Sequence, residues 1–280
     1  MIKSSYRLKQ LIFRIIRIVI LLFLAVLILA PILWMALSAF KERADISTYP
    51  PTFFPPKWTL FNIKEVFRLI PIAMYIKNSV MYTVVVTFFS LLFNSAAGYA
   101  FARLTFKGQN VLFTILMASM MIPFQVIMIP LFMEIFYMGL FDTLVGLVVP
   151  KFAAVIGIFF FRSFYFSLPK QLEEAGRIDG LTEFGIWLRI IVPLCKPALV
   201  TQAVLTLNSC WNDLLWPLLM TNNPENRMLP NGVLYFIGQD INDYGPTFAA
   251  GLISLVPILI IFLFGQKYFV SSIVNSGMKE

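Results

Sequence analysis

Between positions 18 and 40 the chain carries no charged residue, and that single run excludes most folds. About 20 consecutive apolar residues in a helix cross the hydrocarbon core of a bilayer. A secretory signal also starts with basic residues, and Lys3, Arg7, Lys9, Arg14 and Arg17 precede this run. The apolar part of such a signal spans only about 7–15 residues before a small-residue cleavage site. This run is longer and lacks a convincing site, so we read an uncleaved first transmembrane helix.

The run does not stand alone. Hydrophobic residues make up 59% of the 280, and the mean hydropathy is +0.83, outside the range of soluble globular domains. Further apolar stretches cover about 77–101, 111–137, 143–166, 197–221 and 247–269. Pro123 and Pro130 are expected to kink the third span. The fifth is the most polar, with Gln202, Asn208, Trp211, Asn212 and Asp213. Residues 48–62 form a stiff proline-rich loop, 61–72 a short surface helix, and 222–246 a Gly/Pro/Asn-rich loop. The expected fold is an all-α membrane protein with six transmembrane helices. It forms one domain over 1–280, a bundle core over about 77–270 with the helix over about 18–40 added.

Orientation follows from the basic residues. With the N-terminus inside, fourteen Lys and Arg fall on the cytoplasmic side against seven outside, leaving Lys151 uncounted in a span. The two-to-one bias, concentrated in short loops, predicts that both termini are cytoplasmic.

Several chemistries drop out. The net charge of +8 comes from basic residues scattered between apolar runs, so no nucleic-acid surface is expected. Cys195 and Cys210 match no metal or redox spacing, and no histidine occurs. No G-x4-G-K-[ST] phosphate loop is present, so any nucleotide energy must come from another subunit. We expect no catalytic residue, no metal and no cofactor in this chain. Glu134 and Lys151 sit near outer membrane ends, where they can snorkel, and receive no role.

One polar island interrupts the apolar pattern, LEEAGRIDGLTEFGIWLRIIVP at 172–193. Pro169 suits the first turn of a helix, and Glu173 and Glu174 oppose its dipole. Asp179-Gly180 is a stop signal, because glycine accepts the left-handed conformation that ends helices. Thr182 can cap a second helix, which Pro193 is expected to interrupt. Phe184, Trp187, Leu188 and Ile191 recur at i, i+3, i+4 and i+7, predicting one apolar stripe. Ala175 and Gly176 are small enough to admit a close neighbour. The expected unit is a helix-turn-helix between spans four and five, on the cytoplasmic side.

The island resembles the EAA loop of ABC-importer permeases, E-A-A-x3-G-x9-I-x-L-P. Glu174-Ala175-Gly176, Gly180, Ile190 and Val192-Pro193 fall at its spacing, with Gly176 for an alanine and Val192 for a leucine. Ser167-Leu168-Pro169 and Arg177-Ile178-Asp179-Gly180 are similar to the carbohydrate-uptake branch of that family. PPTFFPPKWTLFN in the first loop, Gly98 to Arg103 and the Gln266-Lys267-Tyr268-Phe269-Val270 tail are similar to it as well. The resemblance implies a permease subunit that moves a sugar or oligosaccharide across the bacterial or archaeal cytoplasmic membrane. It implies a second, homologous permease as heterodimer partner, two cytoplasmic subunits that bind ATP and Mg, and an extracellular or periplasmic solute-binding protein. Glu173, Glu174, Ala175, Gly176, Asp179 and Gly180 would then dock on an ATP-binding subunit. The loop at 222–246 would reach the binding protein or be a plain connection.

Trp211-Asn212-Asp213 with Trp216-Pro217-Leu218 also resembles a sugar-permease stretch, and two readings stay open. Trp211 can stack on a sugar while Asn208 and Asn212 bond its hydroxyls, or the residues serve as interhelical glue. On a continuous helix Asn208 and Asn212 share a face, so they are the pathway-lining candidates, with Asp213 turned to a neighbouring helix. A small polar solute such as a glycerol phosphate ester or polyamine is the alternative cargo. An ion-coupled transporter would show paired mid-membrane charges and inverted repeats, and a scaffold would need no docking loop.

Overall fold

The computed structural model describes residues 2–237 and 244–277, and the side chains of 10–237 and 244–263. The basic side chains of Lys3, Arg7, Lys9, Lys267 and Lys279, and positions 238–243 of the last loop, lie outside the described residues. Among the described residues every regular element is helical. The order begins α1 (Ile2–Ser38), α2 (Arg43–Ile46), α3 (Phe61–Leu69) and α4 (Ile72–Arg103). Next come α5 (Gln109–Ser119), α6 (Phe124–Tyr137), α7 (Leu144–Val148) with a 3-10 turn (Val149–Lys151), and α8 (Val155–Phe166). The island forms α9 (Gln171–Ile178), α10 (Glu183–Ile186), a π turn (Trp187–Ile191) and α11 (Val192–Leu194). The chain closes with α12 (Lys196–Trp211), α13 (Leu215–Met220), α14 (Leu229–Leu234) and α15 (Gly245–Gly277).

Three of these helices are long and apolar enough to cross a membrane: Gln10–Ser38, Ile72–Arg103 and Gly245–Leu263. Three bent pairs bring the total to six if each is one span, with angles of 101° for α5 and α6, 41° between Lys151 and Val155, and 82° at Cys195. The third span is therefore broken, since Met120 to Pro123 leave the helix and Pro123 cannot continue it. Pro130, by contrast, is absorbed inside α6. The fifth span also differs from the continuous helix expected. Helix α12 ends at Trp211, and Asn212 and Asp213 are not helical. Pro217 explains it, because proline has no N–H to give the carbonyl four residues back, here Asp213.

Two compact units emerge, one from Met1–Ile70 and Tyr235–Leu255, the other from Pro71–Leu234 and Val256–Glu280. In the first, the proline-rich loop is tied down by Asn62, whose Nδ2 donates to the Ala39 and Lys41 carbonyls at 3.1 and 2.8 Å. Lys41 lies over the Trp34 ring, 4.1 Å from its centroid.

The second unit is organised around α4, whose buried face is polar. Ser79, Thr83, Thr87, Ser90, Asn94 and Ser95 point inward, while Val84, Phe88 and Phe93 point out. Tyr82, Val86 and Tyr99 are buried with them. Small side chains such as these serines and threonines suit helices in lipid, where close van der Waals packing and interhelical hydrogen bonds hold helices together. Helix α8 lies directly on it. A Cβ on Gly98 would meet Phe161 Cβ at 2.6 Å, and one on Gly157 would meet Asn94 Nδ2 at 2.6 Å. Asn94 exploits the approach, accepting from the Ala154 N–H at 2.9 Å at the start of α8.

Candidate functional site

The island folds as its sequence signals direct. Helix α9 stops at Gly180, which holds φ +80°, and Thr182 Oγ1 accepts from the Gly185 N–H at 3.2 Å to start α10. The apolar stripe is the expected one only at Trp187 and Ile191. Ile186 and Ile191 are fully buried, with Trp187 and Cys195 beside them, whereas Phe184 and Leu188 are exposed. A π turn has five-residue spacing, so Ile186 and Ile191 face the same way and Leu188 rotates outward. Pro193 is accommodated just past that wide turn, and the break falls at Cys195 instead.

The six island candidates divide by direction. Glu174, Ala175, Asp179 and Gly180 are exposed, together with Ile178, Phe184 and Leu188. Glu173 and Gly176 turn inward. A Cβ on Gly176 would lie 2.8 Å from Ile190 Cδ1, so the glycine serves packing between the two arms of the island.

Glu173 meets Arg103, the last residue of α4. Arg103 Nε lies 2.9 Å from Glu173 Oε1, close but outside hydrogen-bond alignment, and both side chains are at most 5% exposed. Arg103 Nη2 also donates to the Tyr165 and Leu168 carbonyls at the end of α8. Burial raises the Glu173 pKa above the usual carboxylate value, against the pull of Arg103 and Arg177. A second clasp lies at the surface, where Arg177 Nε donates to Glu183 Oε1 at 2.7 Å. Tyr99 OH of α4 donates to Glu183 Oε2 at 3.0 Å. The Arg177 bond holds the Glu183 pKa below its ordinary range. The island is thus fastened to α4 at two points, Arg103 to Glu173 and Tyr99 to Glu183.

A second polar centre lies where α12 breaks. Asp213 Oδ2 is 3.0 Å from Lys151 Nζ and accepts from Tyr82 OH at 2.9 Å, while Oδ1 faces the Trp216 N–H at 3.4 Å. Sequence reasoning left Lys151 without a role. The signal was one lysine and one aspartate in different spans, since charges in lipid find each other or a wet cavity. Asn208 and Asn212 are exposed and joined, Asn212 Nδ2 donating to Asn208 Oδ1 at 3.2 Å. Trp211 is 2% exposed, packed and not available to stack.

Residues 94–274 match the family described as binding-protein-dependent transport system inner membrane component. The chain belongs to this family. The match includes the island, Lys151 and Asp213. Among relatives of the permease, an arabinooligosaccharides transport system permease protein (AraQ) of Halalkalibacterium halodurans is 35% identical over 260 residues, covering 92% of this chain and 93% of that one. A lactose transport system permease protein (LacG) of Rhizobium radiobacter is 28% identical, covering 90% and 92%. The permease also superposes on a chain of a bacterial ABC transporter involved in the import of the acidic polysaccharide alginate. The TM-score is 0.80 with 26% identity, over 92% of this chain and 96% of that one. The permease is a transport subunit, and its family implies ATP-binding and solute-binding partners in general.

Proposed function

We propose that this permease imports a sugar or oligosaccharide through the cytoplasmic membrane of a bacterium or archaeon. In this reading it spans the membrane six times with both termini inside, beside a second homologous permease. Two cytoplasmic subunits hold and hydrolyse ATP with Mg, and a binding protein delivers the sugar outside. The sugar-transport names of relatives that align over most of the chain carry the substrate class. The exposed face of the island supports the docking role. Glu174, Ala175 and Asp179, beside Ile178, Phe184 and Leu188, present carboxylates and apolar surface together on a rigid turn. Glu173 and Gly176 then act from behind that face, and the exposed Gly180 makes the turn that fixes its shape. Asn208 and Asn212 remain the pathway-lining pair.

The test is uptake by the assembled complex in proteoliposomes with ATP inside. The panel holds labelled arabinotriose, diacetylchitobiose and lactose, with glycerol 3-phosphate and putrescine beside them. Binding-protein-dependent uptake of at least one sugar is expected. Uptake of glycerol phosphate or putrescine alone overturns the substrate class.

A further inference from the structure

Within the second unit a cleft of about 280 Å³ opens between α4, the turn at Lys151 and α12. Its size is near the lower end of ligand sites, which run from about 300 Å³ upward. Val86, Leu205 and Ile156 give it apolar walls. Three polar residues of α12 also reach it, Gln202, Thr206 and Ser209. They are spaced i, i+4 and i+7 and so share one helix face. Gln202 Nε2 donates to Thr206 Oγ1 at 3.4 Å, holding both on that wall.

Lys151 faces them. An ammonium has three N–H groups. One points to Asp213 at 3.0 Å, and the Phe124 ring centroid lies 4.4 Å from the nitrogen. A donor is left for the cleft, where Lys151 is 26% exposed. The site therefore offers hydrogen-bonding groups on apolar walls, with its charge cancelled by Asp213. Ring faces and hydroxyls of a sugar suit it. A carboxylate there would compete with Asp213 for Lys151 and be repelled by it.

We propose that this cleft is a subsite for one residue of a neutral, hydroxyl-rich glycan, and that the Lys151–Asp213 pair discriminates against acidic sugars. The ligand class rests on the carbohydrate reading above; the exposure of the cleft to water does not. The alginate importer, of the same fold, makes the choice between neutral and acidic cargo a real one.

The experiment uses the assembled complex in two arms. In a Cys195→Ala, Cys210→Ala background, Ser209→Cys and Val84→Cys on the outer face of α4 are exposed to a charged, water-soluble methanethiosulfonate. Ser209→Cys is expected to react about tenfold faster, with the imported neutral sugar of the panel slowing it severalfold. In the second arm, uptake of that sugar is compared with its uronate-bearing counterpart. Wild type prefers the neutral form, and Asp213→Asn, which keeps the acceptor but drops the charge, narrows the preference about tenfold. Reaction no faster than Val84→Cys, absence of protection, an unchanged ratio, or wild-type preference for the uronate each overturns the proposal. If the Asp213→Asn complex does not assemble, the labelling arm decides alone. A wild-type complex that imports no sugar overturns the carbohydrate reading and the ligand class with it, while fast labelling at position 209 would keep the cleft as a water-filled path.

Discussion

Arg103 and Glu173 form a buried ion pair of 2.9 Å joining the end of α4 to the first turn of the island. Removing one partner of a buried pair strands the other charge, at about 3–5 kcal/mol. Glu173→Ala and Arg103→Ala are each expected to lower the thermal stability of the purified complex by an amount in that range. The double variant Arg103→Met, Glu173→Leu should recover part of it, because two buried apolar groups cost no desolvation, while the Tyr165 and Leu168 carbonyls still lose their donor. If both single variants unfold like wild type, the pair does not anchor the island.

The contact of α4 with α8 depends on Gly98, whose added Cβ would lie 2.6 Å from Phe161 Cβ and 3.0 Å from the Arg162 backbone nitrogen. Gly98→Val must push the helices apart, with an expected loss of about 1–3 kcal/mol. Denaturation of the complex in mild detergent measures it. A variant as stable as wild type would mean that the helices are not packed there.

Glu183 and Glu173 respond to acid in opposite directions. Glu183 has a lowered pKa through Arg177, so its contribution is present above the ordinary glutamate value of about 4.5 and is lost as pH falls through the lowered one. Glu173 has a pKa raised by burial, so ionising it costs more in the fold than in the unfolded chain, a cost that Arg103 and Arg177 offset only in part. Comparing wild type with Glu183→Gln isolates the first effect. The stability difference is expected to shrink steadily below pH 4.5; a difference that grows on acidification would contradict the clasp.

Much of this architecture was legible from the chain. Charge-free runs announce spans, Gly180 and Thr182 announce a turn and a cap, and both are found where their chemistry places them. What stayed hidden depends on distant partners or on local pitch. Glu173 looks like a surface acid until Arg103, far away in sequence, turns it inward. Leu188 and Phe184 read as part of one apolar stripe because ordinary helical spacing was assumed; the π turn at Trp187–Ile191 shifts that spacing and turns Leu188 outward. Trp211, Asn212 and Asp213 read as one helix because the effect of Pro217 reaches back four residues. Lys151 and Asp213 were each visible and were not joined.

Asn212 lies just past the end of α12, exposed and bonded to Asn208. Asn212→Ala is expected to lower sugar uptake about tenfold, near the worth of one lost hydrogen bond, with subunit co-purification unchanged. Normal uptake would remove the pair from the pathway.

Sidedness is checked with cysteines at Asn226 and Thr182. Asn226→Cys should label from outside and Thr182→Cys only from the cytoplasm. The reverse pattern would leave the island facing away from any ATP-binding subunit.

The central claim is that the island couples ATP hydrolysis in partner subunits to sugar movement. Glu174 is exposed on its outer face, and Gly180 holds φ +80°, a conformation that costs a side-chain-bearing residue about 1–2 kcal/mol. The measurement is sugar- and binding-protein-stimulated ATP hydrolysis by the reconstituted complex carrying Glu174→Ala with Gly180→Val. With the subunits still inserted and co-purifying, stimulation and uptake are predicted to fall to background. Stimulated hydrolysis at the wild-type rate in that double variant would contradict the account.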